Sequence, residues 1–306
     1  MATESIMNDR QTLWDSGNFL RIVLRGIGQV MFQGHAGTGI LFLIGIAVAS
    51  PLMAVGALIG AFLGPVVATL ARFDSKEIEE GLHGFNPVLV GIATVFYLKP
   101  EPLTWVLLVV GCVASIFLTY LMRRYLKFPT YTAPFILATW LILIVAHTMA
   151  GTAIDVMPAP PAHTPSGFVA EVLAGAAEVM FGATVVTGIL FLAGIGLCTW
   201  RHAVLGLLGS IVGTLVALYH NDPTSAVHLG IYGYNAVLAP IAVYLWGKSL
   251  LIAILAAMIS VPLTEFFPSW LGIPALTAPF VVASWIIIAV GQIDALFLRE
   301  PVEKLS

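Results

Sequence analysis

Long apolar runs bounded by short polar segments dominate the hydrophobicity pattern of this chain. Ten such stretches stand out, at about 29–50, 51–71, 84–98, 102–121 and 130–149 in the first half and at about 172–199, 203–219, 233–246, 249–265 and 274–296 in the second. Most are long enough to cross the hydrocarbon core of a bilayer, about 30 Å thick, as helices. The third stretch of each half is short and contains Gly, Asn or Pro, which predicts a re-entrant or incomplete crossing.

Composition supports a membrane protein and argues against several other classes. Of 306 residues, 59% are hydrophobic and 9% charged, whereas soluble domains carry about 25% charged residues. The formal net charge of −3 gives no reason to expect a nucleic-acid partner. No metal-ligand spacing, phosphate-binding loop or nucleophile motif is found. We therefore predict an all-α polytopic membrane protein that has no cofactor and is not an enzyme.

The second half of the chain repeats the first. At an offset of 149 positions, residues 29–46 fall on residues 178–195 with eleven of 18 positions identical, and Gly81–Leu89 falls on Gly230–Leu238. General hydrophobicity would not align Gly, Thr and Asn, so this is an internal repeat. Five predicted crossings per half is an odd number. The two copies are therefore expected to insert in opposite orientations, as inverted repeats with a pore between them.

The basic residues give an independent test of this topology. With the N-terminus in the cytoplasm, only Lys99 lies outside and twelve basic residues lie inside, as expected for an inner-membrane orientation: Arg10, Arg21, Arg25, Arg72, Lys76, Arg123, Arg124, Lys127, Arg201, Lys248, Arg299 and Lys304. Both termini are then cytoplasmic. The predicted divisions are a tail at 1–18, a first repeat at 19–150, an extracytoplasmic linker at 151–168, a second repeat at 169–298 and a tail at 299–306.

A proline- and threonine-containing motif opens the last apolar stretch of each half. It occurs at Phe128–Trp140 and, 145 positions later, at Ile273–Trp285. Proline interrupts the helical hydrogen-bond ladder and threonine can satisfy freed backbone groups. A lone membrane threonine often bonds its own helix backbone instead. Because Thr132 and Thr277 match in both copies, we expect them to face a pore.

Equivalent residues of inverted repeats meet around a shared pathway, so the polar pairs are candidate ligands. Gln29 and Glu178 occupy one position, followed by Val30 and Val179. An intramembrane carboxylate is a functional candidate, although a solvated Glu at a helix end is also compatible with the sequence. Gln and Glu share an acceptor oxygen but not a charge, which favours a neutral ligand carrying N–H or O–H donors.

Aromatic pairs lie beside these polar pairs. Although most membrane aromatics pack or face lipid, repeat-paired rings could form a narrow slot for a flat molecule: Phe32 with Phe181 and Phe85 with Tyr234, and Leu89 with Leu238 one turn further on. The paired Asn86 and Asn235 are expected to bond exposed backbone near the pore, which is a structural role.

At these residues the chain resembles the urea transporter family. The motif Pro-x-x-Thr-x-Pro-Phe appears at Pro129–Phe135 and Pro274–Phe280, with Gly-Phe-Asn and Gly-Tyr-Asn at the other repeat site. The resemblance implies a bacterial-type urea channel that forms a homotrimer in the lipid bilayer of the inner membrane, each protomer with its own pore. The slot would comprise Phe32, Phe85, Leu89, Phe181, Tyr234 and Leu238, with Gln29 and Glu178 toward the mouths and Thr132 and Thr277 in the middle. Tyr234 departs from the family's slot phenylalanine and would add polarity at one wall.

The predicted function is passive, channel-like permeation of urea and possible close analogues. Since no second intramembrane charge offers a coupling site, co-transport is not favoured. Two alternatives stay open: a channel for another small neutral solute such as ammonia, short amides or water, and a proton-coupled urea transporter that uses Glu178.

Overall fold

The computed structural model describes residues 15–150, 167–247, 249–268, 270 and 272–297. Most of the predicted N-terminal tail and linker and the whole C-terminal tail lie outside the described residues. So do four of the basic residues used for the topology, Arg10, Lys248, Arg299 and Lys304. Within the described residues the fold is helical and contains no strand.

Each half contains seven α-helices in the described ranges, and the two sets correspond in order. The first half contains α1 Ser16–Gly28, α2 Ala36–Ala49, α3 Pro51–Leu70, α4 Ser75–Glu79, α5 Phe85–Tyr97, α6 Pro102–Tyr125 and α7 Ala133–Ala150. The second contains α8 Phe168–Glu178, α9 Val185–Cys198, α10 Trp200–His220, α11 Thr224–His228, α12 Tyr234–Gly247, α13 Leu250–Glu265 and α14 Ala278–Phe297. Helices such as α2 and α9, or α4 and α11, begin and end at positions separated by the 149-residue offset.

The halves contact each other reciprocally, as two copies related by a two-fold axis do. Two hydrogen bonds from the first half to the second have an equivalent from the second half to the first. Thr38 Oγ1 donates to Gly194 O at 2.7 Å, and its equivalent Thr187 Oγ1 donates to Gly45 O at 3.0 Å. Trp140 Nε1 donates to Pro274 O at 2.9 Å, and its equivalent Trp285 Nε1 donates to Pro129 O at 2.8 Å. Phe42 and Phe191 also pack together, with ring centroids 5.1 Å apart.

The first apolar stretch differs from its prediction. The sequence predicts one segment over 29–50 and allows a half-spanning piece at 17–28 ahead of it. The chain forms that piece as α1, followed by a 3₁₀ turn at Gln29–Met31 and then α2, with a 72° bend between the two helices. The bend follows Phe32, whose φ of 64° lies in the left-handed region and ends the helical path. The same conformation recurs at Phe181, with a φ of 61°.

Close packing at this bend requires glycine. A Cβ atom added at Gly39 would collide with the carbonyl oxygen of Leu24, and one at the equivalent Gly188 would collide with that of Leu173. Small residues let the backbones of α1 and α2 approach to contact distance in both repeats. The bent helix pair is therefore fixed by backbone packing as well as by the left-handed Phe residue.

The proline motifs start helices and do not break them internally. The helices α7 and α14 begin at Ala133 and Ala278, directly after the two threonines. Tyr131 and Leu276, one residue earlier, have left-handed φ values of 46° and 48°. The threonines are consequently held at helix N-termini in the interior of the protein, where both are buried.

Among the described helices, three are long and apolar enough to cross a membrane, namely α3, α6 and α10, and the bent pair α1–α2 makes a fourth if it is counted as one crossing. The other apolar helices contribute apolar stretches of 10–17 residues. The helix exteriors carry large exposed apolar side chains, including Val106, Leu141 and Leu251. This exterior is suited to lipid.

Candidate functional site

Two pockets reach the two threonines, and Thr132 lines the first while Thr277 lines the second. The first, here called the Gln29 pocket, has a volume of about 520 Å³, and the second, the Glu178 pocket, has a volume of about 260 Å³. Predicted site residues line both: Gln29, Val30, Phe32, Phe85 and Thr132 line the first, and Glu178, Val179, Phe181, Tyr234 and Thr277 line the second. Every residue of one set is the repeat-equivalent of a residue in the other.

The two pockets meet at a hydrogen bond between the threonines. The Oγ1 atoms of Thr132 and Thr277 are 2.6 Å apart, and both side chains are buried. A hydroxyl has one donor and two acceptor lone pairs. One threonine donates to the other, so acceptor positions on both oxygens stay available for a polar solute. We call this contact the waist.

The acceptor pair is held at helix C-termini. Gln29 follows α1, and its Nε2 donates to the carbonyl of Glu80 at 2.9 Å, which leaves the amide oxygen as the acceptor of the group. Glu178 is the last residue of α8, and its carboxylate accepts a hydrogen bond from the backbone N–H of Ala183. The two pockets therefore each carry a fixed side-chain oxygen at equivalent positions.

The aromatic residues of each pocket leave space between them. Phe32 packs edge-on against Tyr131 and Phe280, and Phe181 packs against Phe96 and Tyr97, with centroid distances from 4.6 to 6.3 Å. Among the described rings, neither Phe32 and Phe85 nor Phe181 and Tyr234 contact each other directly, although each pair lines one pocket. Two rings that line one pocket without stacking on each other are compatible with a flat solute between them.

Two predicted slot residues do not line the pockets. Leu89 and Leu238 are each 1% exposed and belong to the hydrophobic core one turn beyond Phe85 and Tyr234. The hydroxyl of Tyr234 is also committed, because it donates to the carbonyl of Leu276 at 2.6 Å. This bond ties Tyr234 to the residue that precedes Thr277.

Asn86 and Asn235 bind the segments that carry the threonines. Asn86 donates to Thr119 Oγ1 at 3.0 Å and to the Tyr131 carbonyl at 3.4 Å, and accepts from the Phe135 N–H at 3.2 Å. Asn235 makes the corresponding three bonds to Thr264, Leu276 and Phe280, at 3.1, 3.5 and 3.2 Å. These bonds satisfy backbone groups at the starts of α7 and α14, where helical partners are missing.

One repeat-equivalent pair of aromatic pocket residues was not predicted from the sequence. Tyr97, the last residue of α5, lines the Glu178 pocket, and Trp246, near the end of α12, lines the Gln29 pocket. The sequence did hold a signal, because both are aromatic and lie 149 positions apart. Each of these buried helices therefore reaches from one pocket to the other.

Charged groups lie at the edges of the pockets. Arg123 lines the Gln29 pocket and forms a 2.6 Å ion pair with Glu77, and His83 Nε2 lies 3.4 Å from the same carboxylate. Beside the Glu178 pocket, His220, Asp222 and Glu265 bring ligand atoms within 4.8 Å of one another, the arrangement closest to a metal-binding set in the described residues. His220 Nδ1 is 2.9 Å from both Glu265 oxygens, so the histidine and the carboxylate are already hydrogen-bonded to each other.

Comparison with known proteins assigns the family. The sequence model of the family described as urea transporter matches residues 20–292. Urea transporter 1 of Ovis aries is 25% identical over 312 residues, with 94% of this chain and 81% of the relative covered. Urea transporter 1 of Rattus norvegicus is 26% identical with the same coverage. Members of this family are transporters and not enzymes. The chain belongs to the urea transporter family.

Proposed function

We propose that urea crosses this protein passively along a path from the Gln29 pocket, past the waist, to the Glu178 pocket. The observation that carries the proposal is the 2.6 Å contact of Thr132 with Thr277 between two pockets built from equivalent residues. Such a path offers acceptor oxygens at three levels: Gln29, the waist and Glu178. Urea is planar and carries N–H donors on its two amino groups, so it can donate a hydrogen bond to the acceptor at each of these three levels.

The energetics favour a neutral planar solute. Placing urea N–H groups in hydrocarbon without acceptors would cost several kcal/mol. Acceptor oxygens replace the lost water contacts, while Phe32, Phe85 and Phe181 contact the faces of the solute and leave no space for a hydration shell. Ions are excluded, since aromatic rings and hydroxyls do not compensate the desolvation of a charge.

The membrane arrangement belongs to the same proposal. We infer ten crossings in two inverted five-helix repeats, at 19–150 and 169–298, joined by an extracytoplasmic linker at 151–168 and flanked by cytoplasmic tails at 1–18 and 299–306. The reciprocal contacts between the halves and the 12-to-1 distribution of basic residues support this arrangement. The Gln29 pocket then opens to the cytoplasm. A homotrimer in a bacterial inner membrane follows from the family resemblance.

Urea-driven light scattering of liposomes that contain the purified protein tests the proposal. We expect faster urea equilibration than in protein-free liposomes, and the same rate with or without an imposed pH gradient. Uptake of urea above its equilibrium level under the pH gradient would indicate proton coupling through Glu178. Urea flux equal to that of protein-free liposomes, together with rapid ammonia or water flux, would indicate a different neutral solute.

A further inference from the structure

The Glu178 pocket is rich in acceptors, whereas urea also carries a carbonyl oxygen that needs a donor. Besides the Glu178 carboxylate, the waist oxygens contribute acceptors. These groups suit the N–H edges of urea. They do not suit its carbonyl oxygen, because two acceptors cannot bond each other and an unpaired buried carbonyl is unfavourable.

Three side-chain hydroxyls of this pocket already have an acceptor within the protein. Tyr234 donates to the Leu276 carbonyl at 2.6 Å, Thr264 donates to the Ser260 carbonyl at 2.9 Å, and Tyr232 is hydrogen-bonded to Asp222. Thr277 is paired with Thr132 across the waist. The Tyr234, Thr264 and Tyr232 hydroxyls are therefore not free to donate to a solute unless a protein bond breaks, whereas the waist has two hydroxyls and one bond between them and so keeps one O–H.

Among the described tyrosines that line the pocket, Tyr97 is the one whose hydroxyl has no acceptor. Its hydroxyl makes no hydrogen bond to any described residue, while its ring is fixed edge-on against Phe96 at 5.0 Å and against Phe181 at 5.8 Å. The hydroxyl is close enough to Glu178 and Tyr234 to interact with them electrostatically. A fixed ring with an uncommitted O–H is a preorganised donor.

We infer that the Tyr97 hydroxyl donates a hydrogen bond to the carbonyl oxygen of the solute while Glu178 and the waist accept its N–H groups. The inference rests on the proposed urea path and adds a specificity determinant to it. Tyr97 would select solutes in which a carbonyl oxygen, a strong hydrogen-bond acceptor, lies between two amino groups. Trp246, the repeat-equivalent, lines the Gln29 pocket together with Arg123 and Lys127, and all three side chains carry N–H donors.

Comparison of urea with thiourea tests the role of this donor. Thiourea keeps the plane and all four N–H donors, but its sulfur is a weak hydrogen-bond acceptor. In liposomes, we expect Tyr97→Phe to slow urea by about fivefold and thiourea much less, so that the urea-to-thiourea flux ratio falls by a similar factor. Tyr219→Phe, the same change at a side chain 83% exposed, should leave both fluxes unaltered.

The outcomes separate this inference from the proposed path. A merely structural role for Tyr97 would slow both solutes equally, and an unchanged ratio would overturn the inference while urea permeation by the unmodified protein stands. Absence of urea flux in the unmodified protein would instead overturn the proposed function.

Two further variants support the measurement. Tyr97→Trp, which restores an aromatic donor, should recover part of the urea-to-thiourea flux ratio. Should Tyr97→Phe not reconstitute, Tyr97→Met removes the same donor and is measured in the same way.

Discussion

Removing one hydroxyl from the waist should slow urea without changing the shape of the path. In Thr132→Val a methyl group replaces the hydroxyl, so the 2.6 Å bond to Thr277 is lost and one level of the path loses an acceptor. A urea N–H that passes this buried point without an acceptor is destabilised by about 1–2 kcal/mol. If the waist limits the rate, each 1.36 kcal/mol is a tenfold change, so we expect a slowing of roughly 5- to 30-fold.

The chain supplies a matched control on α7, the helix that begins directly after Thr132. Thr139 is also fully buried in α7, but its hydroxyl has no hydrogen-bond partner among the described residues. Thr139→Val should therefore leave urea flux unchanged and preserve or slightly raise thermal stability. Its repeat-equivalent Ser284 has the same properties, so Ser284→Ala is the control for Thr277→Val.

Stopped-flow light scattering of liposomes with equal protein content measures these rates, and thermal unfolding in detergent verifies that each variant is folded. Thr132→Val and Thr277→Val should each slow urea, and the double variant should slow it by less than the product of the two factors, because both single changes remove the same bond. A folded Thr132→Val protein with the urea rate of the Thr139→Val control would refute the reasoning.

Three further predictions follow from the same structure. Phe85→Ala and Tyr234→Ala should each lower the flux ratio of urea to N-methylated ureas by about tenfold, because each removes one wall of a pocket. If both variants keep the flux ratio of the unmodified protein, these rings do not line the path. Glu178→Gln should keep the urea rate within about threefold, because the amide oxygen retains the acceptor role that Gln29 has in the other repeat; abolition of flux would show that a charge or proton at Glu178 is required. Gly39→Ala should destabilise the protein in thermal unfolding by about 1–3 kcal/mol, since the new methyl group collides with the Leu24 carbonyl. The control Gly196→Ala, in an open part of α9, should not destabilise it.

Much of the candidate site could be predicted because the repeat gives each residue a partner. The pairs Gln29 with Glu178 and Thr132 with Thr277 needed only the alignment of the two halves, and the structure places them in matching pockets and at their junction. Whether these residues contact urea stays a prediction. The alignment of the two halves is informative because identical Gly, Asn and Thr residues at a fixed offset indicate that both halves share one structure.

Other features depend on three-dimensional details that the repeat does not encode. Leu89 lies one helical turn after Phe85, yet it points into the core, because periodicity gives the spacing along α5 and not the direction of the pore. The bend after Gln29–Met31 was missed since its left-handed residue is Phe32 and not glycine, the usual signal. Tyr97 was missed because the sequence places it at the far end of α5, and only the fold brings that end to the other pocket.

The central claim, that urea passes between the two pockets at the waist, is tested most directly by locating a solute in an experimental structure. Crystals of the protein soaked with selenourea would reveal bound solute through the anomalous scattering of selenium. We predict peaks in the Gln29 pocket and in the Glu178 pocket, on either side of Thr132 and Thr277. Peaks confined to a surface or to an interface between protomers, with both pockets empty, would contradict the account.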